Sequence, residues 1–276
     1  MQVGFDVTVN FPSEEGDGFE MSGELFCTLN FRTGENGADG AFALYGNMQN
    51  APHPNTFVQA YFHANPDEWS FKMGAPEYNY NDNNDPRGSA HLSLAGLLNM
   101  DIKTYMMIGN DVPTQLPPLP PPIFNILNNP SGDAEAESVT AAQNGIDPSE
   151  IESGSGFAHG LYAEIVSDID AFLLYARLGI YLGYDINMTQ RNTPCANTGE
   201  LPGINGFYSE GQIYAGLEGG MGIRIKILGK EREFELFELR AALALRGGGP
   251  KPFYFQGQAS VYYTCLLYTS PSPRDA

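Results

Sequence analysis

From Gly211 to Ile227 the odd positions read Gly, Ile, Ala, Leu, Gly, Met, Ile, Ile, Ile. The even positions between them read Gln212, Tyr214, Gly216, Glu218, Gly220, Gly222, Arg224 and Lys226. Side chains alternate between two faces with period two only in a β-strand. The stretch Phe207 to Leu228 therefore predicts one strand far longer than the usual five or six residues, apolar on one side and charged on the other. The same alternation predicts long strands over Phe19 to Arg32, Leu92 to Gly109 and Ala171 to Ile186. Shorter ones are expected over Gly4 to Phe11, Phe42 to Met48, Thr56 to Asn65, Trp69 to Ala75, Phe157 to Val166 and Phe253 to Thr264. Glu233 to Arg246 alternates from Phe237 onward, although its Ala, Leu and Glu content also fits a helix.

Polar turns join these segments: Ser13 to Gly18, Gly34 to Gly40, Ser167 to Asp170 and Gly229 to Arg232. Longer loops are expected over Asn79 to Gly88 and Asn187 to Gly206. The pattern breaks completely between Asp111 and Gly156. That segment opens with PTQLPPLPPPI, where proline blocks helix and interior strand alike and favours polyproline II. Ile123 to Leu127 has room for one helical turn, and an acidic, Ser/Gly-rich run follows. The expected organisation is an N-terminal antiparallel β region (1–110), a Pro-rich and acidic linker or loop (111–156) and a C-terminal long-strand region (157–264). The fold class is all-β: long antiparallel amphipathic strands forming a large curved sheet or partly closed barrel, with a Pro-rich irregular insert.

Charge narrows the partners. The net charge is −19, which argues against nucleic acid or an anionic membrane surface. No apolar run approaches the length of a membrane helix. Abundant Asn and Gly with little Lys suits an exported bacterial β-protein. Gln2 to Phe11 enters strand pattern at once, so Met1 fits a start inside a longer chain as well as a true beginning. The final stretch, Cys265 to Asp275 (CLLYTSPSPRD), resembles translated sequencing-adapter sequence, which implies that 265–276 is foreign and that the natural chain is cut near Thr264. Cys27 and Cys195 then remain; Cys195, in the loop NTPCANTG, is the candidate for a disulfide, to Cys27 or to a cysteine beyond the cut.

A search for catalytic chemistry finds no motif. The glycines of Gly219 to Gly222 lie inside a strand, where close packing or bending explains them better than a phosphate loop. Gly154 to Gly156 lacks the spacing of a nucleophile elbow. His53, His63, His91 and His159 are too scattered for a zinc pair. Glu164, Glu210, Glu218 and Glu238 project from polar strand faces with Arg177, Arg224, Lys226 and Arg240. Two such carboxyls could serve a glycosidase, but mixed signs on the same faces favour a ladder of cross-strand ion pairs. Asp82 and Asp85, among asparagines, are the candidates for calcium, the plainer reading being a solvated loop. The turn Asp168/Asp170 is similar, and Asn187-Met188-Thr189 fits a glycosylation acceptor. No catalytic residue and no cofactor is assigned.

Several stretches together carry a resemblance. WSFKMGAP, YMMIGNDVP with PPLPPP behind it, Cys195 and GINGFYSEGQIYAGLEGGMGIRIKI resemble a segment of very large, uncharacterised exported β-rich proteins of Bacteroidota. The resemblance covers Asp67 to Thr264 and departs at GGGPKP, Gly247 to Pro252. It implies a fragment of a longer chain with Pro-rich and β segments in this order, and it brings no catalytic residues.

Two architectures remain. In one, apolar strand faces are buried against another protein layer; in the other they face lipid, as in an outer-membrane barrel. Alternation longer than the 9–11 residues a membrane strand needs favours the first, as do the small residues Ala176, Ala215, Gly219, Ala241, Gly257 and Ala259. The expected function is a non-enzymatic exported structural or surface-interaction module of a larger cell-envelope protein. Its partners would be the rest of its own chain, other envelope proteins or glycans. The alternative is an outer-membrane channel or transporter barrel, and a glycan-active or glycan-binding β domain stands third.

Overall fold

The computed structural model describes residues 2–11, 19–32, 35–48, 55–65, 67–74, 87–94, 98–129, 153–171, 173–195, 199–227 and 230–265. Side chains are described for 60–65, 67–74, 87, 98–129, 154–171, 173–195, 199–224 and 234–265. The strands are β1 (Gln2–Phe11), β2 (Phe19–Arg32), β3 (Glu35–Met48), β4 (Asn55–Ala64), β5 (Trp69–Gly74), β6 (Gly88–Leu94) and β7 (Leu98–Pro113). A helix α1 (Pro121–Asn128) precedes β8 (Ser153–Ala171), β9 (Leu174–Gln190), β10 (Phe207–Ile227), β11 (Lys230–Gly249) and β12 (Tyr254–Cys265).

All strands join one antiparallel sheet in the order β1-β2-β3-β4-β5-β7-β8-β9-β10-β11-β12, with β6 pairing off this path to β7. The all-β class is as expected. Among the described residues no pairing joins β1 to β12, so the sheet is open rather than closed into a barrel. The helical option for 233–246 falls away, because β11 pairs with β10 from Ser209↔Gly249 to Ile227↔Lys230.

Several boundaries differ from expectation. Gly34 to Gly40 reads as a turn in sequence, yet from Glu35 on it belongs to β3 and pairs with β2 through Arg32↔Glu35 and Cys27↔Gly40. Ser167 to Asp170 continues β8, paired with Leu178 to Tyr175 of β9. The 111–156 segment, expected to be irregular throughout, gives its first three residues to β7 and its last four to β8. It links β7 to β8, which are direct neighbours paired from Asn99↔Val166 to Pro113↔Ser153.

The register sorts the two faces. One row runs Val261–Ala241–Leu217–Ile180–Ile165–Met100 across β12 to β7. The next row on that face runs Ala259–Leu243–Ala215–Leu182–Ala163–Ile102. From β7 to β12 no Asp, Glu, Lys or Arg with a described side chain occupies this outward face. Its large apolar side chains are open, with Leu182 54%, Ile213 56% and Val261 70% exposed. Among the described residues no element covers it.

The other, inward face holds the buried core. Tyr162, Tyr181, Tyr214 and Ala242 pack with Ile123, Ile126 and Leu127 of α1, and Leu119 joins them at the edge. A second cluster joins Tyr105, Met107, Val112 and Ala158. Glycines make room for the tyrosine rings. A Cβ on Gly216 would come within 2.6 Å of Ile123 Cδ1 and 3.2 Å of the Tyr181 ring. Gly183 and Gly160 leave the same room for Tyr214 and Tyr105.

Candidate functional site

The inward face is organised around the proline-rich segment, which packs on the sheet together with α1. A run such as Pro117, Pro118, Pro120 has no N–H to offer, so its carbonyls need donors from elsewhere. The sheet supplies them from side chains. Asn187 Nδ2 of β9 donates to the carbonyls of Pro113 and Gln115. Arg191 Nη2 donates to Thr114 O at 3.0 Å and Gln212 Nε2 of β10 to Pro117 O at 2.9 Å. Gln258 Nε2 of β12 reaches Leu127 O, near the end of α1, at 3.3 Å. The segment 113–128 is thus a strap held across β9 to β12 by amide and guanidinium side chains.

Beneath the strap lies a buried charge pair. Arg87 Nη2 sits 2.7 Å from both Asp185 carboxylate oxygens, with side chains 1% and 0% exposed. Gln212 Nε2 also donates to Asp185 Oδ2 at 2.8 Å, and Arg87 donates to Tyr214 OH at 3.1 Å. The Arg87 guanidinium lies 5.8 Å from the centre of the Tyr105 ring. Gly160 makes room for Asp185 and Tyr105 at this spot, where any Cβ would collide with both.

Two clefts adjoin at Glu218 and Arg240, the first of them beside α1. One, of about 320 Å³, is lined by Pro121, Asn125, Tyr181, Glu218 and Arg240 among others. The other, of about 390 Å³, shares Glu218 and Arg240 and adds Asp168, Arg177, Glu235 and Glu238. Tyr181 OH donates to Glu218, Arg240 pairs with Glu238, and Arg177 Nε is 3.5 Å from Asp168. Farther along β10, Glu210 faces Arg191 at 3.4 Å and Arg246 at 3.5 Å, and accepts from Tyr254 OH at 3.0 Å.

The carboxylates singled out from sequence therefore share the inward face, and Glu210 and Glu238 are tied to arginines. That arrangement is nearer to the ion-pair ladder than to two free carboxyls across a cleft. Asp82 and Asp85 lie outside the described residues, as does His53. Among the described residues no group of His, Cys, Asp and Glu stands ready to hold a metal. Cys195 carries a free, half-buried thiol. Asn187, in the glycosylation triplet, is 2% exposed and engaged with the strap, so it is not an accessible acceptor in this fold.

Sequence reasoning passed over Arg87, Asp185, Gln212 and Asn187 as a set. Alternation puts Asp185 and Gln212 on polar strand faces, whereas Asn187, read as the start of a loop, lies inside β9; nothing local signals that Arg87 reaches Asp185 across 98 positions. Compared with family models, curated proteins and solved structures, the chain matches none.

Proposed function

We propose that this chain forms the wall of a membrane-embedded β-structure of the cell envelope, of the outer-membrane channel or transporter type. The observation that carries this reading is the outward face of β7 to β12, free of Asp, Glu, Lys and Arg among the described side chains yet widely exposed. A water-facing sheet alternates polar and apolar residues with the polar side out. Here the charged residues, the glycines that oppose the tyrosine rings and the strap lie inward, as lumen-facing residues do in membrane barrels.

Dimensions support it. The open apolar run of β10, from Ile213 to Ile223, is about 33 Å long at about 3.3 Å per residue, or about 23 Å along the normal at a tilt of 45°. That is the height of a membrane barrel's apolar band, about 25 Å. Exposed aromatics sit toward both ends: Phe207 and Phe255 at one, Phe237 and Tyr263 at the other. Phe255 and Tyr263 are about 26 Å apart along β12 at the same rise. Strand length beyond this band projects past the lipid. The outward alanines and glycines, expected to meet a second layer, have no layer over them among the described residues. In lipid an unpaired strand edge is untenable. The reading thus requires β1 and β12 to find strand partners, in each other, in further strands or in another chain.

Detergent dependence tests it. The chain is expected to be monodisperse in micelles and to aggregate without them. A soluble, monodisperse chain in plain buffer would return the reading to a structural or surface-interaction module.

A further inference from the structure

We propose that the inward face of β9 to β12 is a binding groove for extended, proline-rich polypeptide, and that residues 113–122 are its resident occupant. The strap is held as a ligand is held. From Pro113, where β7 ends, its carbonyls are met by side chains of Asn187, Arg191 and Gln212, and beyond that point, at Thr114, Gln115 and Pro117, no backbone ladder of a strand accompanies them. Leu119 and Ile123 seat against Tyr162, Tyr181 and Tyr214. Side-chain donors aimed at carbonyls, over a floor of aromatic rings, are how stiff polyproline segments are recognised at low entropic cost.

The groove also has capacity that the strap leaves unused. Asn187 Oδ1, Thr189 Oγ1 and Arg191 Nε are buried without a hydrogen-bond partner among the described residues. Asn187 and Thr189 are 2% and 1% exposed, so water does not reach them freely. An acceptor such as Asn187 Oδ1 needs an N–H, and the proline opposite has none to give. A peptide with proline at the positions of Pro117 and Pro118 and an N–H near that of Pro113 would satisfy more of the groove than the strap does. The ligand class is therefore an extended polypeptide that exchanges with the strap. This holds whether the outward face meets lipid or protein.

The test uses the full chain in micelles, or in buffer if it stays monodisperse there, and a fluorescent peptide of residues 113–122. Leu119→Ser with Ile123→Ser loosens the strap without touching the groove. Because a resident competitor lowers apparent affinity by the fraction of free groove, this variant should bind the peptide at least about ten-fold more tightly than the parent. Adding Gln212→Leu should lose about ten-fold, the effect of one buried hydrogen bond. A peptide with glycine in place of every proline should bind at least about ten-fold more weakly. A folded variant that binds no better than the parent, or that binds both peptides alike, overturns the proposal. If that variant does not fold, hydrogen exchange in Gln212→Leu alone decides. Faster exchange at 114–116 with β9 to β11 still protected supports an exchangeable occupant; joint loss of protection overturns it.

Discussion

The Arg87 guanidinium lies 2.7 Å from each carboxylate oxygen of Asp185, and neither side chain meets water. The contact ties the start of β6 to the middle of β9 and sits directly under the strap through Gln212. The pair links three stretches of chain that sequence places far apart.

Removing one partner of such a pair leaves a buried charge uncompensated. Arg87→Met should therefore destabilise the chain by about 3–5 kcal/mol. Arg87→Met with Asp185→Leu should recover much of that loss, because no charge is left stranded. Urea or guanidinium midpoints, with unchanged slopes, measure both.

Gly216 is where α1 meets β10. A Cβ there falls 2.6 Å from Ile123 Cδ1, closer than real contacts allow, and the rigid Tyr181 ring stands at 3.2 Å. Gly216→Val should cost about 1–3 kcal/mol through overpacking. Hydrogen exchange across Pro121–Asn128 should accelerate, with β8 and β9 unaffected. Ile123→Ala, in the same contact, should cost about 2–5 kcal/mol by opening a cavity.

The two faces should answer oppositely to charge. Leu182→Arg on the outward face should cost about 2–4 kcal/mol in a bilayer if the residue lies near the midplane. In an aqueous sheet an exposed substitution of this kind stays within about 0.5 kcal/mol. Reversible unfolding from lipid vesicles separates the two values.

Glu210 accepts from Tyr254 OH and neighbours both Arg191 and Arg246. Glu210→Gln keeps the shape and removes the charge that balances two guanidiniums. It should destabilise by about 1–3 kcal/mol, and the effect should shrink with added salt. Denaturation at low and high ionic strength checks this.

The strands were legible because alternation is local: Gln212 to Lys226 declares its two faces without reference to any partner. Strand ends were less so, since the glycines and asparagines of Gly34 to Gly40 favour turns in isolation while pairing with β2 holds Glu35 to Gly40 in β3. The proline run announced its own irregularity but not its docking, because polyproline carries no internal sign of which side chains will meet its carbonyls. Asp185, Asn187 and Gln212 were readable only as polar positions; their joint role depends on register between strands. The environment of the outward face was hardest of all. Ala215, Gly219 and Ala241 fit a packed layer and a lipid-facing wall equally well by composition, and only the exposure of Leu182, Ile213 and Met221 beside them tips the balance.

The central claim is that this outward face lies in lipid. Trp69 is the sole tryptophan, so Trp69→Phe with Leu182→Trp places one fluorophore at mid-strand on that face. Reconstituted in vesicles whose acyl chains carry bromine at graded depths, the protein should show quenching strongest for the deepest bromines. Fluorescence indifferent to bromine at every depth would contradict the account.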